Sequence, residues 1–178
     1  GNTKGTHRIV YFGDAANWGM KEGQKESNQN TLFWRNISEH IDSWGDAYSG
    51  RILDYSGDVA PDHYGYVQIY EIAVSDPEKF ISAHKKIVSQ ARELMEDRPV
   101  AFGSFDIGIP NGATHFVAVG YKGVSDNIVM KSKIEQALAK ERKEYFKNRG
   151  DVTNTGNFDL RILKTYGSFN SVLSLIHI

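Results

Sequence analysis

The chain reads as an α+β protein: an antiparallel sheet with elements in the order β-α-β-β-α-β and two helices on one face. Three observations carry this reading. Short runs rich in β-branched and aromatic residues alternate with longer segments of helical periodicity. An Asn-Gly turn signal separates the two middle strand-like runs. The tripeptide Val-Ser-Asp occurs at 74–76 and again at 124–126, each time where a strand-like run hands over to a helix-like one.

Taken in order, "YVQIYEIAV" (66–74) is the first strand of this unit. The helix that follows carries Phe80, His84, Ile87, Ala91 and Leu94 at helical spacing, and Asp76 before Pro77 supplies an N-cap with proline at the first helical position. "VAFGSFDIGI" (100–109) is the second strand, "PNG" (110–112) the turn and "THFVAVGY" (114–121) the third strand. Ser125 or Asp126 is expected to cap a second helix over 127–148, striped by Met130, Ile134, Ala137, Leu138 and Tyr145. A loop over "RGDVTNTGN" then leads to a fourth strand at 158–167. This order is the split βαβ, or ferredoxin-like, arrangement.

The first part of the chain predicts an additional half unit of strand, helix and strand. "THRIVYFG" (6–13) matches "THFVAVGYKG" (114–123), and "RILDYSG" (51–57) matches "RILKTYG" (161–167), collinearly and at nearly equal spacing. Between the first members, Phe33, Ile37, Ile41 and Trp44 recur at helical spacing. The expected organisation is a half unit over 1–60 with a long polar loop at 14–30, a ferredoxin-like unit over 61–168, and a tail over 169–178. The last six residues, 173–178, are what the codons CTG TCT CTT ATA CAC ATC encode. Those codons spell a transposase-adapter end used in shotgun sequencing libraries, so this run is expected to be translated adapter, and His177 is assigned no role.

Composition sets the outer bounds. The chain has 178 residues, 40 % hydrophobic and 24 % charged, as expected of a globular protein with a real core. A formal net charge of −1 disfavours non-specific binding to nucleic acid or anionic membrane. No apolar run approaches the roughly 20 residues of a membrane span. The absence of cysteine removes disulfides, thiolate metal sites and cysteine nucleophiles. The chain begins at Gly1 without methionine, which fits a signal peptide removed or left out and leaves the compartment undefined.

On its element order, the strand "YVQIYEIAVSDPEKF" and the hairpin "PNGATHFVAVGY", the chain resembles the dimeric α/β-barrel superfamily of ferredoxin-like proteins. The resemblance covers about 66–167 and, less closely, 6–57. It implies self-association, as a homodimer or as tandem-repeat pairing, through the sheet face. It also implies a cavity beside that face for a small apolar or aromatic ligand. The superfamily includes monooxygenases, lactone isomerases, haem proteins and stress-induced proteins, and fold alone does not choose among them. A cofactor-independent monooxygenase or isomerase is the leading expectation, a non-catalytic assembly or stress-related module the alternative, and haem binding the third. Haem-binding members use a helical histidine, but here His84 lies on an apolar stripe and reads as a core residue.

Strand alternation nominates the site. Val67, Ile69 and Ala73 are assigned to the helix-packing face, with Phe116, Ala118 and Gly120. Tyr66, Gln68, Tyr70 and Ile72 then take the other face, with His115, Val117, Val119 and Tyr121. His115 is nominated as a general base oriented by Asp106, and Gln68, Tyr70 and Tyr121 as ligand-binding residues. Trp18, in the long polar loop, is nominated as a lid over the ligand. Against this stands the reading in which the tyrosines line an interface and His115 is partly solvated. No metal-ligand spacing, phosphate loop or nucleophile elbow occurs, and "ATHFVAVGY" lacks the basic-Gly start of an RNA-binding strand. No cofactor is assigned.

Overall fold

The computed structural model describes residues 5–14, 16, 23, 27–57 and 61–166. Its elements are α1 (Asn28–Ser38), β1 (Ser49–Ser56), β2 (Tyr66–Val74), α2 (Pro77–Met95), β3 (Val100–Ile107), β4 (His115–Tyr121), α3 (Val124–Ala137), α4 (Ala139–Asn148) and β5 (Val152–Arg161). They fall into two compact units that divide between Ala47 and Tyr48. The five strands form one sheet in the order β1-β3-β4-β2-β5, with antiparallel pairing throughout. Without the edge strand β1, this is the strand order expected of a ferredoxin-like unit.

Local chemistry explains the elements. Asp76 accepts the Lys79 N–H at 3.1 Å and Pro77 opens α2, as expected. Between β3 and β4 the chain turns through Pro110–Gly112, where Asn111 (φ 51°) and Gly112 (φ 78°) take the left-handed backbone that Asn-Gly tolerates. The fourth strand, β5, begins at Val152, inside the expected loop. It pairs with all nine residues of β2 and stops at Arg161, so the β-branched Val152, Thr153 and Thr155 serve as strand residues. The expected helix over 127–148 is two helices, broken at Leu138 (φ −116°, ψ 35°).

The preceding unit differs more. Residues 6–13 form no strand, so the expected half unit reduces to α1 and β1, and the repeat matches do not share a structure. Ile9, Val10, Tyr11 and Phe12 are consecutive apolar residues, each about half exposed. Such a run needs burial on both faces to be stable as a strand. Within the unit that holds α1, Ser27 caps the helix by accepting the Asn30 N–H, and Trp34 meets Phe33, Tyr11 and Trp44 at ring distances of 5.4–6.1 Å. The strand β1 belongs instead to the sheet beside β3. Residues 167–178, with the expected adapter run, lie outside the described residues.

The core lies between the sheet and the helices. Val88, Ala91 and Met95 of α2 pack with Val100, Val119, Met130, Ile134 and Leu138. A second cluster joins Ile72, Val74, Phe80, Phe102 and Val117 with Tyr145 of α4. Phe102 is fully buried, which contributes roughly 1.5–3 kcal/mol relative to exposure. These contacts reverse the assigned faces: Gln68, Tyr70, Ile72, His115, Val117, Val119 and Tyr121 do share a face, but it is the helix-covered one. The reason lies on the helices. α2 sets Phe80, Val88 and Met95 against the sheet beside the small Ala83 and Ala91, and Phe102, Val117 and Val119 fill the space between them. The opposite face mixes large residues with small ones, and Gly103 is one of the small. A Cβ there would stand 2.4 Å from the Phe116 ring, so glycine lets that ring lie flat across the strand.

Candidate functional site

On the helix-covered face, near the β5 edge, the Gln68 side chain is the meeting point of a polar cluster. Its Oε1 accepts hydrogen bonds from Tyr70 Oη (2.6 Å), Asn127 Nδ2 (3.1 Å) and Lys131 Nζ (2.5 Å). Its Nε2 donates to Asn157 Oδ1 of β5 at 3.1 Å. Asn127 and Lys131 stand one turn apart on α3 and so reach the same amide. The Lys131 ammonium also lies 5.4 Å from the centre of the Tyr70 ring.

The cluster is electrostatically unbalanced. A carbonyl oxygen offers two lone pairs, yet three donors converge on Gln68 Oε1. Meanwhile Asn127 Oδ1 is buried without a donor. Among the described residues no carboxylate lies within ion-pair distance of Lys131. Lys131 is half-buried and Gln68 is buried, and Gln68 uses one of the three N–H groups of the ammonium. Chemically, this is a place for an acceptor oxygen, and most favourably an anionic one.

Tyr121 and Asp159 complete the wall. Tyr121 is 1 % exposed, stacks on Tyr66 at 5.5 Å and neighbours Asp159. Burial first, and then the neighbouring Asp159 carboxylate, push its hydroxyl up to about 12, so it remains a donor at neutral pH.

The structure thus brings together Gln68, Tyr70 and Tyr121 of the nominated residues. It separates His115 and Asp106 from them. His115 is buried, stacks on Phe102 at 5.2 Å with nearly parallel planes, and places Nδ1 2.8 Å from Thr114 Oγ1. Burial lowers its pKa, partly offset by the charge of Asp106. Asp106 shares its face, but its oxygens are engaged by Arg51 (2.7 and 3.0 Å) and Ser104 (3.0 Å). Its pKa is lowered chiefly by the Arg51 hydrogen bond. Trp18 lies outside the described residues. His84 is a core residue between Phe80 and Phe102, each 5.6 Å away, and burial pushes its imidazole down to about 4.

Asn127, Lys131 and Asp159 were not nominated from sequence. The available signal was the i, i+4 spacing of Asn127 and Lys131. Their convergence on Gln68 depends on tertiary packing, and the place of Asp159 on strand register. A separate groove of about 470 Å³ lies between α2 and α4, where the Lys86–Glu144 ion pair (3.5 Å) links its walls. It shares no residue with the Gln68 cluster.

No protein-family model matches the chain, and no curated protein matches it. Among solved structures, it is similar to a proposed monooxygenase from Fusobacterium nucleatum subsp. nucleatum. That match is 16 % identical, covers 76 % of this chain and 67 % of that one, and has a TM-score of 0.40.

Proposed function

We propose that the chain is a small-molecule-binding protein whose ligand presents an anionic or enolisable oxygen to Lys131. The observation that carries this reading is the excess of donors on Gln68 Oε1, beside a half-buried lysine with no carboxylate partner among the described residues. An arriving oxyanion takes the Lys131 N–H groups and leaves Gln68 with two donors. The same arrangement suits an enolate or phenolate. Forming such an anion is the opening step of cofactor-independent monooxygenation and of isomerisation alike, so both activities remain within this reading.

The sheet face away from the helices supports pairing with a second copy. Ile69, Phe116, Phe158 and Leu160 lie on it, each partly exposed, as in a face suited to an apolar contact.

Titration with 4-nitrophenol, followed by the phenolate absorption band, tests the site. The wild type should bind the phenolate form, and Lys131→Met should weaken binding roughly tenfold to a hundredfold, as expected for loss of a charged hydrogen bond. Equal affinity in the two proteins overturns the assignment. Native mass spectrometry of the same samples reports retained ligand and copy number together, and a strictly monomeric species argues against the pairing.

A further inference from the structure

We propose that Asp159 is the proton-accepting carboxylate of this site, acting on a carbon acid whose carbonyl oxygen is held by Lys131. The proposal rests on the reading of the Gln68 cluster as a small-molecule site and adds its chemistry.

Asp159 of β5 stands directly opposite Gln68 of β2, so both side chains leave the sheet on the helix-covered side. Cross-strand partners of this kind hold their Cβ atoms about 4.5–5.5 Å apart. Lys131 reaches the same glutamine from α3 at 2.5 Å. A carboxylate and an ammonium therefore flank one amide, yet they do not close into an ion pair. With Gln68 bonded to Lys131, both charged groups stay available to a third party.

Asp159 is also positioned. Tyr121, buried and stacked on Tyr66, stands beside its carboxylate. Asp159 itself is exposed. A buried, stacked hydroxyl thus neighbours an acceptor that solvent and ligand can reach, as a general base requires. Asn157 and Arg161 are the next β5 residues on the same face, opposite Tyr70 and Tyr66. They add further polar groups to the same face.

The step balances without any external oxidant or reductant. The proton on the carbon next to the carbonyl passes to an Asp159 oxygen. The C–H electron pair becomes the carbon–carbon double bond of an enolate, and the carbonyl π pair moves to oxygen beside Lys131. Return of the proton to the same carbon gives exchange with solvent. Return to the far end of a conjugated system gives an isomer. The substrate class is therefore a β,γ-unsaturated ketone or a 1,3-dicarbonyl compound.

The test uses two probes. Isomerisation of cyclohex-3-en-1-one to its conjugated isomer, followed by absorbance, reads the proton transfer, and 4-nitrophenol binding reads the oxyanion site. Wild type should isomerise the enone above the buffer rate. Asp159→Asn should lower that rate by about a hundredfold or more, while 4-nitrophenol still binds, at least as tightly as to wild type, because a like charge has been removed. Asp159→Glu should recover part of the rate, and Asp159→Ala repeats the comparison should the asparagine variant fold poorly. Lys131→Met should lose both signals. If Asp159→Asn and Asp159→Ala isomerise at the wild-type rate, the proposal is overturned. It is also overturned if wild type binds 4-nitrophenol yet gives no rate above buffer, which leaves the binding site standing. Failure to bind 4-nitrophenol at all overturns the site itself, and the proposal with it.

Discussion

Val74-Ser75-Asp76 and Val124-Ser125-Asp126 are spelled alike and sit at the two strand-to-helix joints of the unit, but they do different work. At the first joint the strand ends at Val74 and the helix starts at Pro77, so Ser75 and Asp76 lie in the connection. Asp76 caps the helix, while Ser75 Oγ donates to the Asp151 carbonyl and accepts the Asp151 N–H. At the second joint the strand ends at Tyr121 and the helix starts at Val124, so the tripeptide forms the first helical turn. Gly123 precedes it with no side-chain cap, contrary to the expectation for Ser125 or Asp126. Asp126 turns back to accept the Lys122 N–H and takes both arms of Arg98 at 2.5 and 2.7 Å. A shift of a few residues in where the helix begins converts a surface cap into a buried fork.

The largest expected effect follows from that burial. The Arg98 side chain is 5 % exposed, so Asp126→Ala leaves a buried guanidinium without its counter-charge. The expected loss is about 3–5 kcal/mol, measured by urea unfolding. A loss below about 1 kcal/mol would mean that the second joint is no more than another cap.

Acid titration gives the next effect. Hydrogen bonding to Arg98, and then to the Lys122 N–H, pulls the Asp126 carboxyl down to about 2, against a burial effect of opposite sign. A carboxylate with a depressed folded pKa stabilises above its unfolded value of 3.8, and that contribution is lost as pH falls through 2. At most it is worth about 2 kcal/mol. His84 acts in a different window. Burial holds its imidazole at about 4, so the unfolded chain takes up the proton first. Its neutral form is fully accommodated above 6.5, and stability falls by about 3 kcal/mol as pH drops from 6.5 to 4. His84→Leu should abolish the upper part of the acid transition and keep the part below pH 4, which Asp126→Ala should remove. One unbroken acid transition in both variants would contradict this division.

The same contrast shows what was legible before the structure. Elements set by local signals were readable: Asp76-Pro77 at the start of α2, the periodic stripe that follows it, and the Asn-Gly turn. Alternation also showed that Gln68, Tyr70, His115 and Tyr121 share a face. It carries no sign, however. Which face meets the helices depends on how the side chains of both partners fill the contact, which alternation within one strand does not encode. Leu138 lies between two alanines in a run of good helix formers, so nothing local marks the break there. Past it, α4 sets Tyr145 against Phe80 at 6.3 Å. The candidate site was half visible: strand residues were found by alternation, but Lys131, Asn127 and Asp159 reach Gln68 only through long-range packing and register.

The smallest effect belongs to the first joint and isolates the comparison. Asp76→Ala removes the hydrogen bond to Lys79 N–H and the 2.9 Å contact with the Lys79 ammonium, both at the surface. Water replaces them, and the helix keeps Pro77 at its first position, so α2 should still form. The expected change is a fall in Tm of a few degrees at most, well short of that for Asp126→Ala. Binding of 4-nitrophenol should be unchanged, because α2 contributes no side chain to the Gln68 cluster. A destabilisation equal to that of Asp126→Ala would show that the two joints are equivalent after all. A change in 4-nitrophenol affinity would show that the first joint, despite its distance in the sheet from Lys131, sets the position of α3.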